Sequence, residues 1–373
     1  MPFCHAPWTN LDISPQGQLS PCCKFRHGHY HDAALNITQH SIQDYQHSAT
    51  LAQIKQEFLK GQWPAGCERC RIEEENNVAS KRQLDYQRWQ PYLDANAAEP
   101  NTITASIAFG NTCNLTCLTC NAYTSSRWHR EHQALTGLDI KPNHFYRQGF
   151  VEEFLAHAPA LKHLDVPGGE PFLSGVPEQQ ALLTHYVSTG QAADMSLHYT
   201  TNATVWPDQQ WWQLWQHFKE VDIQLSIDGL GARYEYLRYP AQWSEVMINI
   251  DSYLKRQQDN IRLSVSHTVS AYNIRYLSEF VNWCRGQGLP KPWLGRVHDP
   301  ACMRPTVWPA RVREHIADVL AESADPDILA WSQLVRHTDD SVHYKEFVER
   351  LHWHDRYRGN SFADTFPEMA QFL

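Results

Sequence analysis

Eight of the ten cysteines in this 373-residue chain fall within its first 120 residues: Cys4, Cys22, Cys23, Cys67, Cys70, Cys113, Cys117 and Cys120. Only Cys284 and Cys302 lie outside that stretch. The N-terminus, Met1-Pro2-Phe3-Cys4-His5, lacks a basic segment followed by an apolar one, so no secretory signal is visible. No run approaches the ~18 apolar residues of a membrane span. The expectation is a cytoplasmic protein with no membrane partner. In a reducing compartment, closely spaced cysteines bind metal or do catalysis more often than they pair as disulfides. The formal charge of −9 argues against a general nucleic-acid binder, which needs a basic face.

Apolar periodicity divides the chain. Residues 1–75 hold the first cysteines with little regular pattern, apart from an amphipathic helix predicted over Ser41–Lys60. Residues 71–100 are polar, a helix and a connection. From residue 102, short β-like runs alternate with helical ones. Strands are predicted at Thr104–Gly110, His163–Gly168, Ser196–Thr201, Asp222–Ile227, Arg262–Val269 and Trp293–His298. Helices are predicted at Gln179–Ser188, Gln209–Glu220, Trp243–Gln257 and Ile274–Gly286. Such alternation predicts an α/β fold with a parallel sheet and right-handed crossovers, a partial (β/α)6 TIM-like barrel. Functional residues then belong at the C-terminal strand ends. The expected division is a small N-terminal domain over 1–85, a partial barrel over 102–300 and a helical extension over 301–373.

Cys113-x3-Cys117-x2-Cys120 follows directly on the first of these strands. Thiolates are soft ligands for iron–sulfur clusters and zinc. A cubane uses four cysteines, so three from one loop leave a metal position open, as a catalytic site requires. A zinc loop completed by a distant His or Cys is the alternative.

Four further segments end successive strands. Gly168-Gly169-Glu170-Pro171 combines glycines that let backbone approach a ligand with a carboxylate suited to an ammonium. Thr201-Asn202-Ala203, Ser226-Ile227-Asp228-Gly229 and Thr268-Val269-Ser270 with Asn273 follow in order, and Arg238 lies shortly after the third. The cysteine triplet and these segments together resemble the radical S-adenosylmethionine (SAM) superfamily over residues 102–300. The resemblance implies that Cys113, Cys117 and Cys120 hold a [4Fe–4S] cluster whose unique iron binds SAM. It implies contacts to SAM from Gly168, Gly169, Glu170, Asn202, Ser226, Asp228 and Arg238, with Glu170 near the amino group and Arg238 at the carboxylate. Two departures stand out: Thr119 replaces an aromatic residue before the third cysteine, and Ala203 replaces a glycine.

The N-terminal set has the pattern Cys4-x17-Cys22, then Cys67-x2-Cys70. Its spacing suits a four-thiolate site, with a structural zinc ribbon as the alternative. It resembles the twitch domain, a shortened SPASM domain, here placed before the barrel. That resemblance implies a second, auxiliary [4Fe–4S] cluster on Cys4, Cys22, Cys67 and Cys70, serving electron transfer. Cys23 reads as a bystander. The run His27-Gly28-His29-Tyr30-His31 reads as a solvated loop, and Trp211, Trp212 and Trp215 as core. Cys284 reads as apolar filler and Cys302 as a candidate hydrogen donor. His352, Asp355, Arg356 and Arg358 read as a barrel cap or as helix-surface ion pairs.

The resulting expectation is a radical SAM oxidoreductase or maturase acting on a ribosomally made peptide, by oxidation, cross-linking or epimerisation. Its electron donor would be a flavodoxin or ferredoxin. The alternatives are a dehydrogenase of a sugar or aminocyclitol, and a non-catalytic zinc-binding protein.

Overall fold

The computed structural model describes residues 2–30, 35–75, 78–93, 101–142 and 147–373. His31, and residues 76–77 and 94–100 of the polar stretch, lie outside the described residues. Among the described residues there are eight strands: β1 (Asn10–Ile13), β2 (Leu19–Ser20), β3 (Thr104–Ile107), β4 (His163–Val166), β5 (Ser196–Thr201), β6 (Glu220–Ser226), β7 (Ile261–Val269) and β8 (Trp293–Arg296). They form one sheet in the order β2-β1-β3-β4-β5-β6-β7-β8. β1 pairs with β2 antiparallel, whereas β1–β3, β3–β4, β4–β5 and β7–β8 pair parallel. The six predicted strands are β3 to β8, and they neighbour one another in chain order. Each crossover therefore advances the same way, which is the winding of a (β/α) barrel sheet. The predicted α/β class is what the structure shows. Among the described residues no helix is long and apolar enough to cross a membrane.

The N-terminal segment joins this sheet, a feature its weak periodicity concealed. Asp12 faces Ser106 across the β1–β3 ladder, and Asp12 faces Ser20 across β1–β2. Ser41–Lys60 is two helices, Ile42–Gln46 and Ala49–Leu59. The Ser48 hydroxyl accepts the Leu51 amide; an N-cap of this kind starts a new helix and interrupts the periodic face. The helix expected over Gln209–Glu220 ends at Trp215, and Glu220 opens β6 instead. Val221, Ile223 and Leu225 alternate and are fully buried, so the two-residue period prevails there.

The chain divides into two compact units. The first comprises 1–113, 141–200 and 207–222; the second comprises 114–140, 201–206 and 223–373. In the first, one face of the sheet is apolar: Leu11, Ile13, Ala105, Ile107, Leu164, Val166, Leu197 and Tyr199 are all buried. Phe172, Tyr199, Trp211 and Trp215 form an aromatic cluster there, so the tryptophans are core as expected.

The core of the second unit gathers Tyr272, Trp308, Phe347, Leu351, Phe362 and Phe366. Cys302 is buried in it, and burial pushes its thiol up to about 11. Arg313, in the helix Ala310–Ala321, is buried and donates to the Trp308 carbonyl at 3.0 Å and the Thr338 carbonyl at 2.6 Å. Those carbonyls lose their partner in Arg313→Ala. The expected cost is about 2–4 kcal/mol in a denaturant titration, above that of Arg336→Ala, whose half-buried side chain pairs only with the exposed carboxylates Glu314 and Asp318.

Candidate metal centres

Cys4, Cys22, Cys67 and Cys70 converge on one small cavity in the first unit, which Phe25, Phe58 and Trp63 also line. Phe25, Ile54 and Phe58 form an apolar cluster packed against Cys4, Cys22 and Cys67. Burial pushes the Cys4 and Cys67 thiols up to about 12 and the Cys22 thiol well above its usual range; neighbouring thiols raise each further, while the Ala6 amide and Arg82 oppose the shift at Cys4. Without a cation these thiols stay protonated. Metal binding displaces those protons, and soft sulfur donors suit iron–sulfur clusters or zinc. The donor set and the apolar wall fit a buried four-thiolate centre. Among the described residues, no three His, Cys, Asp or Glu side chains are grouped as a single ion requires.

Local backbone explains the shape of this cavity. Gly66 packs against Phe25, and a Cβ there would lie 2.8 Å from the Arg26 carbonyl oxygen. The Arg26 amide donates to the Gly66 carbonyl at 3.0 Å. Only glycine allows the turn before Cys67 to close onto the Phe25 ring. The adjacent thiols Cys22 and Cys23 part company: Cys22 lines the cysteine cavity, whereas Cys23 lines a separate polar pocket.

That polar pocket lies over the face of the sheet opposite the apolar one. Two rows of polar side chains cross the strands in register. Asn10, Thr104, His163 and Ser196 make the first, and Asp12, Ser106, Asp165 and His198 the second. Thr104 donates to Asn10 at 2.6 Å, Ser106 to Asp165 at 3.0 Å, and His198 meets Asp222 at 2.9 Å. Burial pushes the Asp12 carboxyl up to about 6, against hydrogen bonds from Ser20 and Ser106 that lower it. Sequence reasoning missed these rows, because they exist only once the strand register is known.

The glycine loop lies at the end of β4. The Glu170 amide donates to the Thr112 carbonyl at 2.7 Å. A Cβ on Gly169 would overlap that carbonyl, and one on Gly168 would strike Ala108. Both glycines let this loop lie flat against the segment entering Cys113. Glu170 is fully buried.

In the second unit the cysteine segment is sewn to the arginine segment. The Thr116 amide donates to the Tyr239 carbonyl at 2.7 Å, and the Leu118 amide to the Leu237 carbonyl at 2.8 Å. Cys117 and Arg238 sit between these two bonds, with a guanidinium nitrogen 3.8 Å from the Cys117 sulfur. Arg238 is buried and ion-paired to buried Asp228 at 2.8 Å. Burial works against the Arg238 charge, but Asp228, Cys117 and Cys120 outweigh it and raise its pKa. Burial raises the Cys120 thiol, and the Thr124 hydroxyl 2.9 Å away opposes that shift. Asp228 also accepts the Thr268 amide at 2.8 Å, Asn273 donates to the Asp228 carbonyl at 2.9 Å, and the Ser226 hydroxyl meets Ser266 at 3.3 Å. Asn202 donates to Asn114 at 2.9 Å, which ties it to the cysteine segment. Ala203, standing where the resemblance expects glycine, has φ +61°, a left-handed conformation that glycine takes without cost.

Residues 4–71 match the family model for SPASM, an iron–sulfur cluster-binding domain. This agrees with the auxiliary-cluster expectation for the N-terminal cysteines. No curated protein matches. Among solved structures, anSMEcpe with bound AdoMet is similar at 17% identity and a TM-score of 0.42, over 53% of this chain and 50% of that one. The chain thus spans about half the length of that relative. SuiB of Streptococcus suis bound to precursor peptide SuiA is similar at 10% identity and a TM-score of 0.39, over 99% of this chain and 75% of that one. At such values these likenesses carry no functional argument.

Two outcomes follow from the first unit. Gly66→Ala forces Phe25 or the Arg26 backbone to move, at about 1–3 kcal/mol, read as a lower unfolding midpoint. The raised Asp12 carboxyl binds its proton more tightly folded than unfolded, so its contribution to stability falls as pH rises from about 4 to about 6. Asp12→Asn removes that fall from the stability–pH curve measured by denaturant titration.

Proposed function

We propose that this chain is a radical SAM enzyme with an auxiliary iron–sulfur cluster. The observation that carries the reading is the pairing of segment 116–118 with segment 237–239, which sets buried Arg238 against Cys117. A cation beside ligand thiols favours their ionised form. It also presents a fork suited to a carboxylate such as that of SAM. Asp228 keeps that guanidinium in place while buried. Cys113, Cys117 and Cys120 would hold the SAM-binding [4Fe–4S] cluster, and Cys4, Cys22, Cys67 and Cys70 the auxiliary one. Gly168, Gly169, Glu170, Asn202 and Ser226 would complete the SAM contacts. When bound, the cluster and SAM supply a 5′-deoxyadenosyl radical, which takes a hydrogen atom from substrate. The electron donor would be a flavodoxin or ferredoxin.

The substrate class favoured is a peptide, acted on in a maturase-type oxidation, cross-link or epimerisation. The polar rows of the first unit support this, since alternating donors and acceptors at the strand spacing match a polar chain better than an apolar ligand. Dehydrogenation of a sugar or aminocyclitol is the second reading, because the same hydroxyl- and carboxylate-rich surface suits a polyol.

Anaerobic reconstitution followed by metal analysis tests the proposal. The expected result is about eight irons per chain, two four-iron clusters, and 5′-deoxyadenosine on adding SAM and a strong reductant. Replacing Cys113, Cys117 and Cys120 together by alanine should leave about four irons and no nucleoside. Zinc at both sites without SAM cleavage overturns the reading. Gly169→Ala should retain the auxiliary iron yet lose most SAM cleavage, since Glu170 can no longer pack against Thr112.

A further inference from the structure

The helix Tyr344–Arg358 carries the His352, Asp355, Arg356 and Arg358 set near the C-terminus. Phe347 and Leu351 bury one side of it in the core of the second unit. Its last turns carry a different cargo. His354 and Arg358, one turn apart, both reach Glu131. The His354 ring nitrogen lies 2.9 Å from the carboxylate and Arg358 Nε 2.8 Å. His354 is 1% exposed and Glu131 4%. A carboxylate this deep survives ionised only with such partners, and His354 and Arg358 hold it below the usual carboxylate range.

The same guanidinium makes a second contact. Arg358 donates to the Thr116 carbonyl at 2.6 Å, across 242 residues of sequence. Thr116 is the residue immediately before Cys117. The guanidinium lies over the rings of Trp128 and Tyr239, 5.4 and 5.2 Å from their centroids, and the Trp128 indole donates to the Cys117 carbonyl at 3.0 Å. Asp355, on the same helix, accepts from the Tyr236 hydroxyl at 2.8 Å. The helix thus grips both sides of the seam, Thr116–Cys117 on one and Tyr236–Tyr239 on the other.

We propose that Arg358, seated by Glu131 and His354, is a positioning residue that clamps the cysteine segment in register with Arg238. The planar guanidinium is what the task needs. Its fixed fork of donors meets a carboxylate through Nε and a carbonyl through a terminal nitrogen at once, a geometry that an ammonium does not reproduce. The clamp itself is a property of the chain. Its consequence for metal retention rests on the reading that Cys117 and Cys120 are cluster ligands.

Amide hydrogen exchange on the full-length, metal-free chain tests the clamp. Arg358→Gln should speed exchange at the Thr116 and Leu118 amides by about tenfold, the scale of a lost charge-assisted hydrogen bond. Arg358→Lys should fall between wild type and Arg358→Gln. Arg313→Ala, which weakens the same unit without touching the seam, supplies the control. If Arg358→Gln leaves those two amides unchanged, or Arg313→Ala speeds them equally at matched stability, the clamp is refuted. A variant too unstable to exchange reliably is replaced by Glu131→Gln, which keeps Arg358 but unseats it and should act in the same direction. Iron release to a chelator from reconstituted protein then reads the consequence. Arg358→Gln should shed about half its iron, that of one of two equal clusters, about tenfold faster than wild type, the fold-change expected at the amides. The rest should leave at the wild-type rate. Wild-type protein that takes up no iron at Cys113, Cys117 and Cys120 overturns the proposed function and leaves the exchange result to judge the clamp alone.

Discussion

A guanidinium buried in protein must be paired, and much of the second unit follows from that requirement at Arg238. Asp228 supplies the charge, and holding Asp228 demands its own partners, the Thr268 amide and the backbone grip of Asn273. The end of β6, the start of the loop after β7 and the turn carrying Arg238 are thereby fixed against one another. Two backbone hydrogen bonds then align the cysteine segment with the arginine segment. Removing the cation would leave the buried Asp228 carboxylate with the Thr268 amide but without its counter-charge, a larger penalty than the pair's net contribution. The arrangement is therefore all or nothing, which suits a site that has to hold one geometry.

The first unit solves a different problem. A parallel sheet between covering layers usually reads as continuous hydrophobic runs. Here β1, β3, β4 and the first four residues of β5 alternate, with one apolar face and one polar face. The polar face is kept solvable by satisfying its members laterally, Thr104 with Asn10, Ser106 with Asp165 and His198 with Asp222. These side chains are spaced as strands are spaced, about 4.8 Å apart, so the wall presents a regular lattice of donors and acceptors rather than a single charged point.

Sequence legibility followed interaction range. Strands β3 to β8 were readable because Leu164 and Val166, or Val221, Ile223 and Leu225, announce a buried face within a few residues. The ends were overextended where the chain stays buried past the last paired position, Ile107, as at Ala108 and Phe109. The four-residue β1 and two-residue β2 were too short for periodicity to register. The break at Ser48 hid because its flanking apolar residues keep near-helical spacing. The cysteine groups were legible by spacing, and Arg238 by its offset from Asp228. The clamp at Arg358 was illegible for a physical reason: nothing local distinguishes that arginine from Arg356 until Glu131 and Thr116 arrive from more than 200 positions away.

The neighbouring thiols Cys22 and Cys23 carry one more implication. They lie in the bend and turn that follow β2. One serves the cysteine cavity and its neighbour the polar pocket. The two environments are separated by a single step of the main chain. Deleting Pro21 would shift the register by one and carry Cys23 to the position that Cys22 holds at the cavity. Main-chain register at this single step therefore decides which thiol faces the cavity and which the polar pocket.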